Sequence, residues 1–189
     1  MPADSRAWFL VLILAVVVER LVELVITQRN AHRLRARGGH PVGESHYPWM
    51  VALHTGLLIA APAEVFLLDR AFVPTIGWTA LATVGATMAL RYWAITTLGD
   101  RWTTRVFVVP GEPPVLGGPY RFLRHPNYTA VILEVAALPL VHGAWWTALV
   151  GSVLNAFVLR TRIRAEESAL EEAAGYFDVL GDRPRFVPR

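Results

Sequence analysis

The sequence predicts an all-α integral membrane protein of about five transmembrane helices. Two observations carry this: a series of long apolar runs, and an uneven distribution of arginine among the loops between them. Of the 189 residues, 54% are hydrophobic, and the mean hydropathy is +0.39, above that of an ordinary soluble domain. Crossing the hydrocarbon takes roughly 20 helical residues at about 1.5 Å each. The apolar runs fall at 8–26, 48–68, 72–98, 126–141 and 143–160. The last two are short and meet at His142-Gly143, which predicts a tight helical hairpin. The first run passes from Trp8–Val18 into Glu19-Arg20 without a clear small-residue cleavage site, so it reads as a retained span.

Arginine sets the orientation. All 18 basic residues are Arg. Arg29, Arg33, Arg35 and Arg37 follow the first run; Arg101, Arg105, Arg121 and Arg124 follow the third. Arg160, Arg162, Arg164, Arg183, Arg185 and Arg189 follow the fifth, whereas the opposite side holds only Arg6 and Arg70. The positive-inside rule then places both long loops and the C-terminus in the cytoplasm and the N-terminus outside. The net charge of +3 fits anionic headgroups, and the cluster Arg29–Arg37 is read the same way, with no nucleic-acid partner expected. Without Cys there is no disulfide, thiol nucleophile or thiolate metal site. His40, His46 and His54 have no compact ligand spacing, so no metal is expected.

Between the third and fourth runs lies an insert, residues 99–125. Val106-Phe107-Val108-Val109 reads as a short strand, with turns at Pro110-Gly111 and Gly117-Gly118-Pro119. Two clusters carry chemistry. In Arg124-His125-Pro126-Asn127-Tyr128, Pro126 suits the first turn of a helix, and the N–H groups of that helix start suit a carboxylate or phosphate. The alternative is that Arg121 and Arg124 anchor the interface and His125 merely caps. In the second cluster, Arg162 and Glu166 are four residues apart and share a helix face just below the membrane. Arg164, Glu171 and Glu172 read as a solvated helix with ordinary ion pairs.

The ordered set Leu98-Gly99, Gly118-Pro119-Tyr120, Arg124-His125-Pro126-Asn127-Tyr128, Arg162-Ile163, Glu166-Glu167, Leu170 and Gly175-Tyr176 resembles the isoprenylcysteine carboxyl methyltransferase family. The resemblance covers roughly residues 95–189. It implies S-adenosyl-L-methionine as cofactor, in a cytoplasmic pocket formed by the loop before helix 4, the helix 4–5 hairpin and a C-terminal helix extension. It divides the chain into a three-span acceptor-binding part, 1–98, and a methyltransferase core, 99–189. By the same resemblance Tyr120, His125, Pro126, Asn127, Tyr128 and Glu166 would bind the cofactor, as would Pro113, Pro114 and Val115, where the sequence departs from the family pattern. Arg162 would face the acceptor. Methyl transfer is an in-line displacement in which positioning supplies roughly 7–11 kcal/mol, and a guanidinium can hold a carboxylate or phenolate through its forked donors.

The first half carries Glu19, Arg20, Glu23, His54 and Glu64 within apolar runs; Arg91 and Glu134 occupy later ones. Intramembrane ionisable groups are costly and often functional. Glu19 and Glu23 are expected to pair with Arg20 or Arg91, and His54 and Glu134 to line an acceptor tunnel. Glu19, Arg29-Asn30, His46-Tyr47 and Leu53-His54 resemble a bacterial branch of the family associated with type III polyketide synthases and similar to O-methyltransferases of alkylpyrones and alkylresorcinols. The acceptor is then a lipid-like small molecule, either a prenylcysteine-type carboxylate or the phenol or enol of a polyketide lipid, and the compartment the bacterial cytoplasmic membrane. A carboxylate needs no base; a phenol, with pKa near 10, would use one, and His54, His46 or Glu134 are the candidates. Two other classes stay open: a sterol-type membrane reductase using NADPH, and a non-catalytic membrane scaffold. Neither the oligomeric state nor the natural acceptor is legible.

Overall fold

The computed structural model describes residues 4–187 and is almost entirely helical. Five long helices, α1 (Asp4–Ala36), α2 (Tyr47–Leu67), α3 (Pro74–Leu98), α4 (Pro126–Leu140) and α5 (Trp145–Ala174), are followed by the short α6 (Tyr176–Leu180). Proline stands at the first turns of α2, α3 and α4, where its missing N–H leaves no helical bond unmade. The hairpin predicted at His142-Gly143 joins α4 to α5. Glu64 of α2 holds its upper end: its carboxylate accepts the backbone N–H of Trp146 (3.1 Å) and Thr147 (2.7 Å) and the side chain of Arg70 (2.8 Å). An acidic residue in the second apolar run is thereby explained as the cap of the fifth helix.

One point of the expected architecture needs correction. Five helices stand where five spans were expected, but among the described residues only Tyr47–Leu67 is by itself long and apolar enough to cross a membrane. The reason lies in the others' composition and length. Glu19, Arg20 and Glu23 interrupt α1, Arg91 interrupts α3, and α4 has only 15 residues. A continuous core of Phe9, Ile13, Leu57, Val65, Val84, Val135 and Leu138 joins α1 to α4. Outward, Val11, Leu14, Val18 and Val25 of α1 and Trp146, Leu149, Val153 and Phe157 of α5 are each at least 49% exposed. Large exposed apolar patches are uncommon on soluble monomers and mark contacts with protein or lipid.

The buried ions are paired. Arg20 donates to Glu23 (2.6 Å) and Glu134 (2.8 Å) and lies 3.0 Å from Glu19; Arg91 bonds Glu134 and approaches Glu23 to 3.7 Å. Helices α1, α3 and α4 are thus tied by one charged cluster, within which both Glu19 oxygens and Glu23 Oε1 are buried without a hydrogen-bond partner among the described residues.

At the arginine-rich end the insert folds back on the first half. The strand expected at Val106 is β2 (Val106–Val108), and it pairs antiparallel with an unanticipated partner, β1 (His40–Val42). Asn30 of α1 donates to the carbonyls of Trp102 (2.8 Å) and Gly99 (3.0 Å), and Thr27 accepts the N–H of Thr104 (3.1 Å). The turn expected at Gly117-Gly118-Pro119 opens a short 3-10 helix, Gly118–Arg121. Gly118 has φ +53°, and a Cβ there would meet Thr97 Oγ1 at 2.2 Å, so only glycine fits.

Candidate functional site

The insert, the start of α4, the lower half of α5 and α6 enclose an open cleft with about 1140 Å3 of unfilled space, part of it open to solvent. Its floor is built from three side chains on two helices. Tyr128, one turn into α4, is 8% exposed. Its hydroxyl donates to Glu166 and accepts from Arg162 Nε at 2.7 Å. Arg162 and Glu166 reach it because their spacing of four puts both on the face of α5 that looks at α4. Two of the other four N–H donors of Arg162 go to the Thr104 carbonyl (2.7 Å) and Met50 Sδ (3.3 Å), so the insert and α2 meet at its guanidinium.

Of the residues expected to hold a cofactor, Pro113, Pro114 and Val115 line the wall formed by the insert, and Tyr120, His125, Asn127, Tyr128 and Glu166 line the rest. Pro126 is buried behind that surface. Asn127, which lines the cleft, has a buried Oδ1 with no hydrogen-bond partner among the described residues. Tyr120 and Tyr176 also face the cleft. Burial and the nearby Glu166 charge push both phenols well above their ordinary value, so they act as neutral donors and aromatic surfaces.

The two other residues expected to be catalytic lie elsewhere. Glu134 is two turns further along α4, held by Arg20 and Arg91. His54 Nδ1 donates to the Met50 carbonyl (2.8 Å) within α2. The structure therefore brings Arg162 to the cleft and leaves His54 and Glu134 with the buried charged cluster.

The helix start at Pro126 is less free than its sequence implies. The N–H groups of Arg124 and His125 are taken by the carbonyls of Pro184 (3.0 Å) and Arg185 (3.2 Å), and Thr129 Oγ1 donates to Phe186 O (3.1 Å). The C-terminal segment thus lies as a strap across the base of α4. Glu167 fastens it. Its carboxylate takes bonds from His125 Nε2 (3.0 Å) and Arg185 (2.6 and 3.0 Å) and pairs with Arg124 at 3.2 Å. These donors outweigh its burial and hold it down at about 2. The ring of His125 is therefore turned onto Glu167, which sequence reasoning left unassigned.

The profile of the isoprenylcysteine carboxyl methyltransferase family matches residues 79–172, from α3 through the insert and the hairpin to the lower half of α5. An uncharacterized protein of Bacillus subtilis, YpbQ, is 39% identical over 166 residues, which is 87% of this chain and 96% of that protein. An uncharacterized protein of Haemophilus influenzae is 29% identical over 152 residues, 80% of this chain and 88% of its own length. Both alignments reach beyond the family profile, so the first half of the chain is shared with these relatives too.

Proposed function

The chain belongs to the isoprenylcysteine carboxyl methyltransferase family, and we propose that it is an S-adenosylmethionine-dependent methyltransferase of a membrane, acting on an oxygen of a lipophilic acceptor. The family is membrane-bound, and the exposed apolar faces of α1, α2 and α5 support placing this chain in a bilayer, with the arginine-rich end in the cytoplasm. The observation that carries the reading is the convergence of Tyr128, Arg162 and Glu166 on one cleft.

The residues of the cleft fit the cofactor that the family uses. S-adenosylmethionine combines an ammonium, a carboxylate, a ribose and an adenine, and its sulfonium makes a methyl group electrophilic. The unpaired Asn127 Oδ1 and the Glu166 carboxylate are acceptors for its N–H and O–H groups. Val108, Val115 and Leu170 offer an apolar wall, and Tyr120 and Tyr176 offer aromatic surface for a flat base. Tyr128 fixes the directions of both Glu166 and Arg162 by bonding to each. Arg162 stands where the insert, α2 and α5 meet, and is placed to hold an anionic oxygen of the acceptor. The work left to the protein is alignment, worth roughly 7–11 kcal/mol, and exclusion of water.

The test is transfer of a radiolabelled methyl group to alkylresorcinol, alkylpyrone and prenylcysteine analogues by the detergent-solubilised protein. We expect transfer to at least one, and loss of it in Arg162→Ala and Glu166→Ala. Full activity in both variants would remove the site assignment.

A further inference from the structure

A second groove runs between α4 and α5, with a cavity volume of about 600 Å3, inside the range of about 300–1,000 Å3 usual for ligand sites. It shares no lining residue with the cleft. Tyr128 of the cleft packs on Leu159, Ile163 and Phe186 of the groove, and these side chains form the wall between the two. Ile132 and Ala136 line the groove from α4, and Ser152, Ala156 and Leu159 line it from α5. This apolar stretch belongs to the outward face of the bundle, where Leu133, Val153 and Phe157 are each at least 44% exposed. At the arginine-rich end the lining changes to Arg160 and Arg164 of α5 and Arg185 of the C-terminal strap. Arg160 and Arg164 are exposed and four residues apart, and neither side chain has an ion pair or hydrogen bond among the described residues. Like charges at that spacing repel on one helix face, so the pair lacks a counter-anion. Arg185 gives Nε and Nη2 to Glu167 and has Nη1 to spare. Five residues deeper than Arg160, about 7.5 Å along the helix, Asn155 lines the same groove. It is 4% exposed, yet its side chain has no hydrogen-bond partner among the described residues, a costly arrangement for a buried amide unless something pairs with it.

We propose that this groove is a binding site for one anionic phospholipid of the cytoplasmic leaflet, separate from the cleft that holds donor and acceptor. The phosphodiester is held by Arg160, Arg164 and the spare Nη1 of Arg185, whose planar forks suit phosphate oxygens. The ester carbonyl lies deeper and accepts the Asn155 amide N–H. One acyl chain continues between Ile132 and Ala136 on α4 and Ala156 on α5. The groove thus repeats the order of a lipid along the bilayer normal: cations at the arginine-rich end, one amide about 7.5 Å further in, then an apolar channel. A small free anion would match the arginines alone and leave Asn155 and the apolar channel without a partner. Arg185 also fastens the strap through Glu167, so the bound phosphate ties that strap to the membrane surface. The proposal rests on the membrane placement of the chain and is independent of the reaction it catalyses.

The test is equilibrium binding of a fluorescent-tailed phosphatidylglycerol to the purified chain in non-ionic detergent. Unlabelled phosphatidylglycerol, phosphatidylcholine of the same acyl chains, and glycerophosphate serve as competitors. We expect saturation at one site per chain, with phosphatidylglycerol displacing the probe at least tenfold better than phosphatidylcholine, and a preference that weakens as salt rises. Glycerophosphate should displace nothing. The double variant Arg160→Gln/Arg164→Gln should bind phosphatidylglycerol about 10–30-fold more weakly, the share of two cations near an anionic headgroup, and phosphatidylcholine as before. Its unfolding midpoint should stay at the wild-type value, since neither arginine has a partner in the fold. Asn155→Leu should weaken both lipids alike, by about 2–10-fold, and Ala156→Trp should fill the channel and exclude both. Equal competition by the two lipids, a preference that survives in the double variant, or displacement by glycerophosphate as effective as by lipid would overturn the proposal. So would a dimer, seen by light scattering, that Ala156→Trp dissociates, because the groove would then seat a second copy of the chain. A chain that stays monodisperse in buffer without detergent would instead remove the membrane placement, and the proposal with it.

Discussion

Replacing Glu167 by Gln removes the charge that fastens the C-terminal strap to the base of α4. The carboxylate has ordinary value 4.5 and lies at about 2 in the folded protein. At about 1.4 kcal/mol per pH unit the difference is roughly 3 kcal/mol; partial solvent access to Arg185 screens some of it, leaving about 2–3 kcal/mol. A group lowered in this way stabilises the fold fully above its unfolded value and loses that contribution as pH falls through the folded one. Wild-type stability should thus fall between about pH 5 and pH 2, over and above any change in the Gln variant. The assay is the unfolding midpoint in detergent at pH 7 and pH 3 for both proteins, together with limited proteolysis of the C-terminal segment. At pH 7 the variant should be less stable by the amount above and its strap more readily cleaved; at pH 3, still above the folded value of about 2, the gap should shrink to less than half of that. Equal midpoints at pH 7, or a gap that persists unchanged at pH 3, would refute the linkage.

Three further outcomes follow from the same geometry. Arg162→Ala should reduce kcat/KM for methyl transfer by about 10²–10³-fold, the loss of a charged hydrogen-bond pair of about 3–4 kcal/mol, while S-adenosylhomocysteine affinity, measured by calorimetry, changes by less than about threefold. Asn30→Ala leaves the Trp102 and Gly99 carbonyls without their partner and should cost about 1–3 kcal/mol, read as faster proteolysis within residues 99–125. Gly118→Ala forces a side chain into a left-handed position against Thr97 and should cost about 1–3 kcal/mol in unfolding free energy.

Much of the helical skeleton was legible because apolar runs and flanking arginines are local signals. The runs at 48–68 and 72–98 match α2 and α3 to within two residues at each end. Tyr128, Arg162 and Glu166 were legible because a helix start marked by Pro126 and a spacing of four each imply a face. What the sequence hid were contacts between distant segments. The pairing of His40–Val42 with Val106–Val108 joins two three-residue strands too short to show a period. The role of Glu167 depends on Arg185, 18 positions away beyond a chain reversal, and no local pattern announces it. Glu134, expected to line an acceptor tunnel, is an isolated carboxylate in an apolar run, and no local pattern shows what pairs with it. Its partners, Arg20 and Arg91, lie on other helices.

The central claim is that one cleft, floored by Tyr128, Arg162 and Glu166, holds the methyl donor. Calorimetric titration of the purified protein with S-adenosylhomocysteine, and in parallel with NADPH, tests it most directly. The account predicts saturable binding of one S-adenosylhomocysteine per chain, weakened at least tenfold by Glu166→Ala, and no saturable binding of NADPH. Saturable binding of NADPH with none of S-adenosylhomocysteine would contradict it.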